Sequence, residues 1–89
     1  MSIPLDEQFN ISAFVVKSLK KRPDNNELLE LYALYKQATY GDCDIEKPGL
    51  LNFKEKSKWN SWNSVKGLSS QKAKQLYIKL VEGLVCKYN

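Results

Sequence analysis

Asp24-Asn25-Asn26-Glu27, running on into Leu28-Leu29-Glu30-Leu31-Tyr32-Ala33-Leu34-Tyr35-Lys36-Gln37-Ala38-Thr39-Tyr40-Gly41-Asp42, is the stretch whose reading decides the fold. An aspartate with a glutamate three residues on is the pattern of a capping box, in which each side chain takes an otherwise orphaned backbone N–H. Leu28, Leu31, Tyr35 and Ala38 then recur at helical spacing, with Leu29, Tyr32 and Lys36 beside them. Gly41 supplies a residue able to take the left-handed conformation that ends a helix. A helix from about Asp24 to Tyr40 follows. Tyr32, Tyr35 and Lys36 stand at i, i+3 and i+4, so one face carries two phenols and an ammonium.

Three further helices extend outward from this one. Leu5 to Leu19 has a wide apolar stripe, with Phe9, Val16 and Leu19 in register and Ile11, Phe14 and Val15 alongside. Lys20-Lys21-Arg22-Pro23 reads as its end, with cations complementing the helix dipole and Pro23 unable to continue the ladder. After a loop rich in turn formers (Asp42, Asp44, Pro48, Gly49), a third helix covers about Phe53 to Val65 and stops at Gly67. Ser69 or Ser70 caps a fourth, running to about Lys87. It carries one stripe of Ala73, Leu76, Tyr77, Leu80 and Leu84 and a second of Ile78, Val81 and Val85, enough for two neighbours. Four helices without a strand pattern give an all-α bundle, and 89 residues make one domain, residues 1–89.

Composition excludes several chemistries. With no histidine there is no Ser-His or Cys-His pair and no His-ligated zinc. The four glycines are scattered, so no phosphate loop forms. Asp42, Asp44 and Glu46 lack the spacing of a calcium loop. We expect no enzyme, no metal and no cofactor. Cys43 and Cys86 are read as free thiols, and neither a bilayer-spanning run nor a signal peptide is seen, so a cytoplasmic chain is expected.

Charge is divided unevenly. Residues 1–53 hold six basic and eight acidic groups, residues 54–89 eight and two. The second part is expected to meet an anion: nucleic acid, lipid headgroups or a phosphorylated small molecule. Lys54 and Lys58, one turn apart, can share a side of the third helix. Set against the Tyr32–Lys36 face and near Tyr77, they make a site for a phosphate and a stacked base. The plainer alternative stays open: tyrosines in the core with wet hydroxyls, lysines on a solvated face. Of Trp59 and Trp62, one is expected in the core.

These residues resemble a known family. Tyr-x-x-Tyr-Lys-Gln-Ala-Thr-x-Gly-Asp at 32–42, Pro-Gly at 48–49, Phe-Lys-x-Lys-x-Lys-Trp-x-x-Trp-Asn at 53–63, Lys-Gly-x-Ser at 66–69 and Ala-x-x-x-Tyr-Ile at 73–78 are similar to the acyl-CoA-binding proteins. The resemblance spans nearly the whole chain. It implies a four-helix up-down-down-up bundle that binds long-chain fatty acyl-CoA reversibly, as a monomer, serving acyl-CoA-using enzymes or membrane surfaces. It further implies that Tyr32, Lys36 and Lys58 hold the ribose 3′-phosphate and that Tyr35 and Tyr77 contact adenine and ribose. Lys17 and Lys54 would lie along the CoA phosphates and pantetheine. Leu28 and Leu29, with Ser12 and Ala13, would line the entry of the acyl groove. Glu55 departs from the family's usual glycine and puts an anion beside Lys54. Two other readings compete: a small basic helical nucleic-acid-binding domain, which a single arginine (Arg22) disfavours, and a secreted peptide ligand.

Overall fold

The computed structural model describes residues 3–89, which form four α-helices: α1 (Leu5–Val15), α2 (Asn25–Thr39), α3 (Phe53–Ser64) and α4 (Ser70–Tyr88). No strand occurs among the described residues. α4 lies in the middle, packed against both α1 and α2, and α3 rests on the far side of α2. The two apolar stripes of α4 thus meet two different partners. The core is Phe9 from α1, Leu31, Leu34 and Ala38 from α2, and Ala73, Tyr77, Val81 and Leu84 from α4.

Local sequence chemistry sets the boundaries of α2. Asp24 accepts from the Glu27 N–H at 2.8 Å, and Glu27 accepts from the Asp24 N–H at 2.9 Å, completing the capping box. At the other end Tyr40 and Gly41 both donate to the Lys36 carbonyl, and Gly41 takes φ +107°, open to glycine at no steric cost. Ser69 caps α4, accepting from the Lys72 N–H at 3.0 Å.

The first helix is shorter than its periodicity predicts. It ends at Val15 and tightens into a 3-10 turn, Val16–Ser18, after which Leu19 is extended. The adjacent β-branched pair Val15-Val16 suits a helix end better than its interior. Lys20, Lys21 and Arg22 therefore lie beyond the helix and do not complement its dipole. The wide stripe of α1 is only partly covered: Ile11 and Phe14 remain exposed, because α1 packs mainly along α4 and meets α2 through Phe9.

α2 and α3 lie side by side in parallel. Trp62 meets Tyr40 near their C-terminal ends, with ring centroids 5.3 Å apart and edge to face, and nearer their N-terminal ends Lys58 meets Tyr32. The long loop between them is pinned at several points. Trp62 is 2 % exposed and its indole N–H donates to the Gly41 carbonyl at 2.8 Å. Half-buried Trp59 does the same to Ile45 at 2.8 Å. Asp42 accepts from the Gly67 N–H and the Gln37 amide, both at 2.8 Å, and these bonds, the Gly67 one foremost, hold its carboxyl below its ordinary value. Gln37, 1 % exposed, also donates to the Leu68 carbonyl at 2.9 Å, tying α2 to the start of α4.

Candidate functional site

Two adjoining cavities open along α2, and both are lined by Leu28 and Tyr32. The first, about 530 Å³, lies between α1, α2 and α4 and is lined by Ala13, Val16, Lys17, Leu28, Leu31, Tyr32, Tyr35, Lys36 and Tyr77. The second, about 420 Å³, lies between α2 and α3 and is lined by Arg22, Asn25, Leu28, Leu29, Tyr32, Lys54, Ser57 and Lys58. Sharing two residues, they form one groove crossing the face of α2. Ten of the eleven residues singled out in the sequence line it.

Ser12 is the exception. It is buried on the α4 side of α1 and lines a separate cleft with Val81 and Val85. Its neighbour Ala13 does reach the groove. Consecutive residues of a helix point about 100° apart, and the pair straddles the edge of the α1–α4 contact.

Aromatic rings hold the groove's cations and phenols in place. The Lys58 ammonium lies 5.0 Å from the centre of the Tyr32 ring. That of Lys36 sits 5.0 Å from the Trp62 ring and 5.6 Å from Tyr40. Such cation–π contacts orient an ammonium without neutralising it. Phe9, Tyr35 and Tyr77 form a cluster: Tyr35 stacks on Phe9 at 5.5 Å, Tyr77 meets Phe9 edge-on at 5.0 Å, and the two tyrosines stand 5.9 Å apart. Burial, then the neighbouring Tyr35, push the Tyr77 hydroxyl up from its ordinary value, so it stays a neutral donor at physiological pH. Tyr35 is exposed and offers one ring face outward.

One anion stands close by. Glu55 lies 3.7 Å from the Lys58 ammonium. The pair is partly exposed, and such pairs contribute little to stability. Its charge offsets part of the positive field of Lys58.

Arg22, Asn25, Ser57, Val16 and Leu31 line the groove without having been singled out as site residues. Arg22 came with a basic run that read as a helix terminus, and only the turn at Pro23 brings it onto the groove wall. Its guanidinium approaches the Pro23 carbonyl at 3.4 Å and the Asn25 side chain at 3.5 Å. A larger cleft, about 600 Å³, lies on another side of α2, between α3 and α4. Among the described residues its lining holds no cation, and its one charged residue is Glu30, an anion that repels phosphate, so we do not assign the ligand there.

A groove that sets phenols beside Lys17 and Lys36 in one compartment and Leu28 and Leu29 beside Arg22, Lys54 and Lys58 in the other defines a helical binding module for an amphiphilic anion. Comparison with known proteins agrees. The family model described as acyl CoA binding protein matches residues 6–81. The acyl-CoA-binding protein homolog of Drosophila melanogaster is 60 % identical over 84 residues, covering 94 % of this chain and 98 % of that protein. The acyl-CoA-binding protein of Saccharomyces cerevisiae is 48 % identical over 85 residues, covering 96 % and 98 %. Among solved structures, acyl-CoA-binding protein 2 of Oryza sativa superposes with a TM-score of 0.90 at 38 % identity, covering 94 % of this chain and 93 % of that one. The chain belongs to the acyl-CoA-binding protein family.

Proposed function

We propose that the chain binds long-chain fatty acyl-CoA thioesters reversibly and carries or buffers them without catalysing a reaction. The observation that carries this reading is the meeting of the two compartments at Leu28 and Tyr32, where phenols and ammoniums adjoin the apolar wall of Leu28 and Leu29. Tyr32, Lys36 and Lys58 hold the ribose 3′-phosphate through charge-assisted hydrogen bonds. Tyr35 and Tyr77 take the adenine and ribose. Lys17 and Lys54 follow the remaining phosphates and the pantetheine arm. Leu28, Leu29 and Ala13 guide the acyl chain, each methylene adding about 0.8 kcal/mol of burial before ordering costs.

The site pairs no nucleophile with a base, and histidine is absent from the chain, which supports carriage over catalysis. Among the described residues no helix is long and apolar enough to cross a membrane. The unpaired thiols of Cys43 and Cys86 fit the reducing cytoplasm in which we place a monomeric carrier. The relatives and the solved structure named above are acyl-CoA-binding proteins, which supports this reading over a nucleic-acid-binding domain or a secreted ligand.

Titration calorimetry with palmitoyl-CoA and a series of shorter thioesters tests the proposal. Micromolar or tighter binding that strengthens with chain length is expected; an absence of heat would refute it. The 3′-dephospho analogue tests the roles separately, since equal affinity for both forms would remove those given to Tyr32, Lys36 and Lys58.

A further inference from the structure

The loop before α3 ends in an exposed apolar tip that the groove does not use. The Asn52 N–H donates to the Gly49 carbonyl at 3.1 Å, closing a turn whose two central residues are Leu50 and Leu51. These are 76 % and 91 % exposed, and Phe53, the first residue of α3, follows at 72 %. Turn tips ordinarily take glycine, asparagine, aspartate or serine. Single exposed apolar residues need no explanation, but three large ones within four positions on one projecting tip do. The tip is also braced, because the indole of Trp59 fastens the preceding loop at Ile45 and that of Trp62 fastens it at Gly41.

Charge around the tip identifies what covers it. Between Lys47 and Lys58 the chain carries four lysines and one glutamate, and that glutamate, Glu55, already faces Lys58 at 3.7 Å. Asp44 and Glu46 lie further back, and Asp44 accepts a hydrogen bond from the Tyr40 hydroxyl at 3.1 Å. Lysine is depleted in protein–protein interfaces, whereas clustered lysines beside inserted apolar residues suit an anionic lipid surface. We propose that the Leu50–Phe53 tip is an interfacial anchor that enters an anionic bilayer surface, with Lys47 and Lys56 against the headgroups. Lys54, Ser57 and Lys58 of the groove wall follow the tip on α3, so docking sets the groove's leucine end at the boundary where an acyl chain enters or leaves lipid. The inference concerns a different surface from ligand binding and stands or falls without it.

Co-sedimentation of the full chain, free of ligand, with phosphatidylcholine vesicles and with vesicles also containing phosphatidylserine tests it. Binding is expected only to the anionic vesicles and should weaken with salt. The variant L50S/L51S/F53S should lower partitioning by at least about tenfold, and K47Q/K56Q by about tenfold as well. Both should retain wild-type helicity and palmitoyl-CoA affinity, because neither set lies in the groove. No binding to anionic vesicles would overturn the proposal, as would undiminished binding by the triple serine variant. So would a dimer in light scattering that the serine variant abolishes, since the tip would then cover a second copy of the chain.

Discussion

The two ends of α2 are fastened by different means. At its start, Glu27 accepts from the Asp24 N–H, from the Tyr88 hydroxyl and from the Lys87 ammonium at 3.0 Å, joining the helix to the end of the chain through polar groups near the surface. At its finish the fastening is buried, built from the Trp62 indole, the Gln37 amide and the Asp42 carboxylate. The groove follows this division. Lys36 rests on the buried end, whereas Leu28 and Leu29 stand on the end held by exposed pairs. A phosphate needs donors at fixed positions, because charge-assisted hydrogen bonds are directional. An acyl chain needs only apolar area, which tolerates movement.

Breaking the buried end should have the largest effect. Trp62→Ala is expected to destabilise the chain by about 3–5 kcal/mol, the usual cost of removing a buried aromatic. Urea unfolding measures it, and a loss confined to ligand affinity would show that Trp62 is not the brace described. Next comes the ligand side of the same end. Tyr32→Phe should weaken binding of palmitoyl-CoA about ten- to hundredfold, the loss of one hydrogen bond to a charged group. Far-UV circular dichroism should not change. Unaltered affinity would count against the assignment.

Acid should separate the two ends. The Tyr88 hydroxyl first, then the Asp24 N–H and Lys87, lower the Glu27 carboxyl from its ordinary 4.5 to about 2. A depressed carboxyl stabilises the fold fully above the ordinary value, and that contribution disappears as pH falls from about 4.5 toward about 2. Hydrogen exchange over that range should show the start of α2 and the last turn of α4 losing protection before Gln37–Gly41, where the indole bond of Trp62 does not titrate. Glu27→Gln should flatten the acid dependence of urea midpoints. Simultaneous loss at both ends would erase the contrast. The smallest effect is at Glu55, where Glu55→Gln should tighten palmitoyl-CoA binding by about two- to fivefold, as suits one partly exposed charge. Calorimetry at low salt would detect it, and a weaker complex would mean that Glu55 orients Lys58 productively.

Much of the fold was legible because its signals are local. The Asp24–Glu27 box, the stop at Gly41 and the cap at Ser69 each depend on residues within a few positions of one another. The lining of the groove was legible where a single helix face carries it, as with Tyr32, Tyr35 and Lys36. Residues whose role depends on a distant partner were harder to read. Ser12 and Ala13 look alike in sequence yet part at the edge of α1, and Arg22 reaches the groove only through the turn at Pro23. Gln37 showed nothing of its part as the buried link between Asp42 and Leu68.

The sequence by itself determined four helices, the ends of α2 and the start of α4, the uneven charge and the phenol–ammonium face of α2, because backbone hydrogen bonding and side-chain periodicity act over short range. Only the tertiary structure decided that Lys58 lies over Tyr32, that the two cavities meet at Leu28, and that Leu50, Leu51 and Phe53 are left outside. Periodicity reports that a face is apolar or charged. Which face it meets is settled by packing between helices far apart in the chain, where shape and the satisfaction of buried polar groups choose one arrangement.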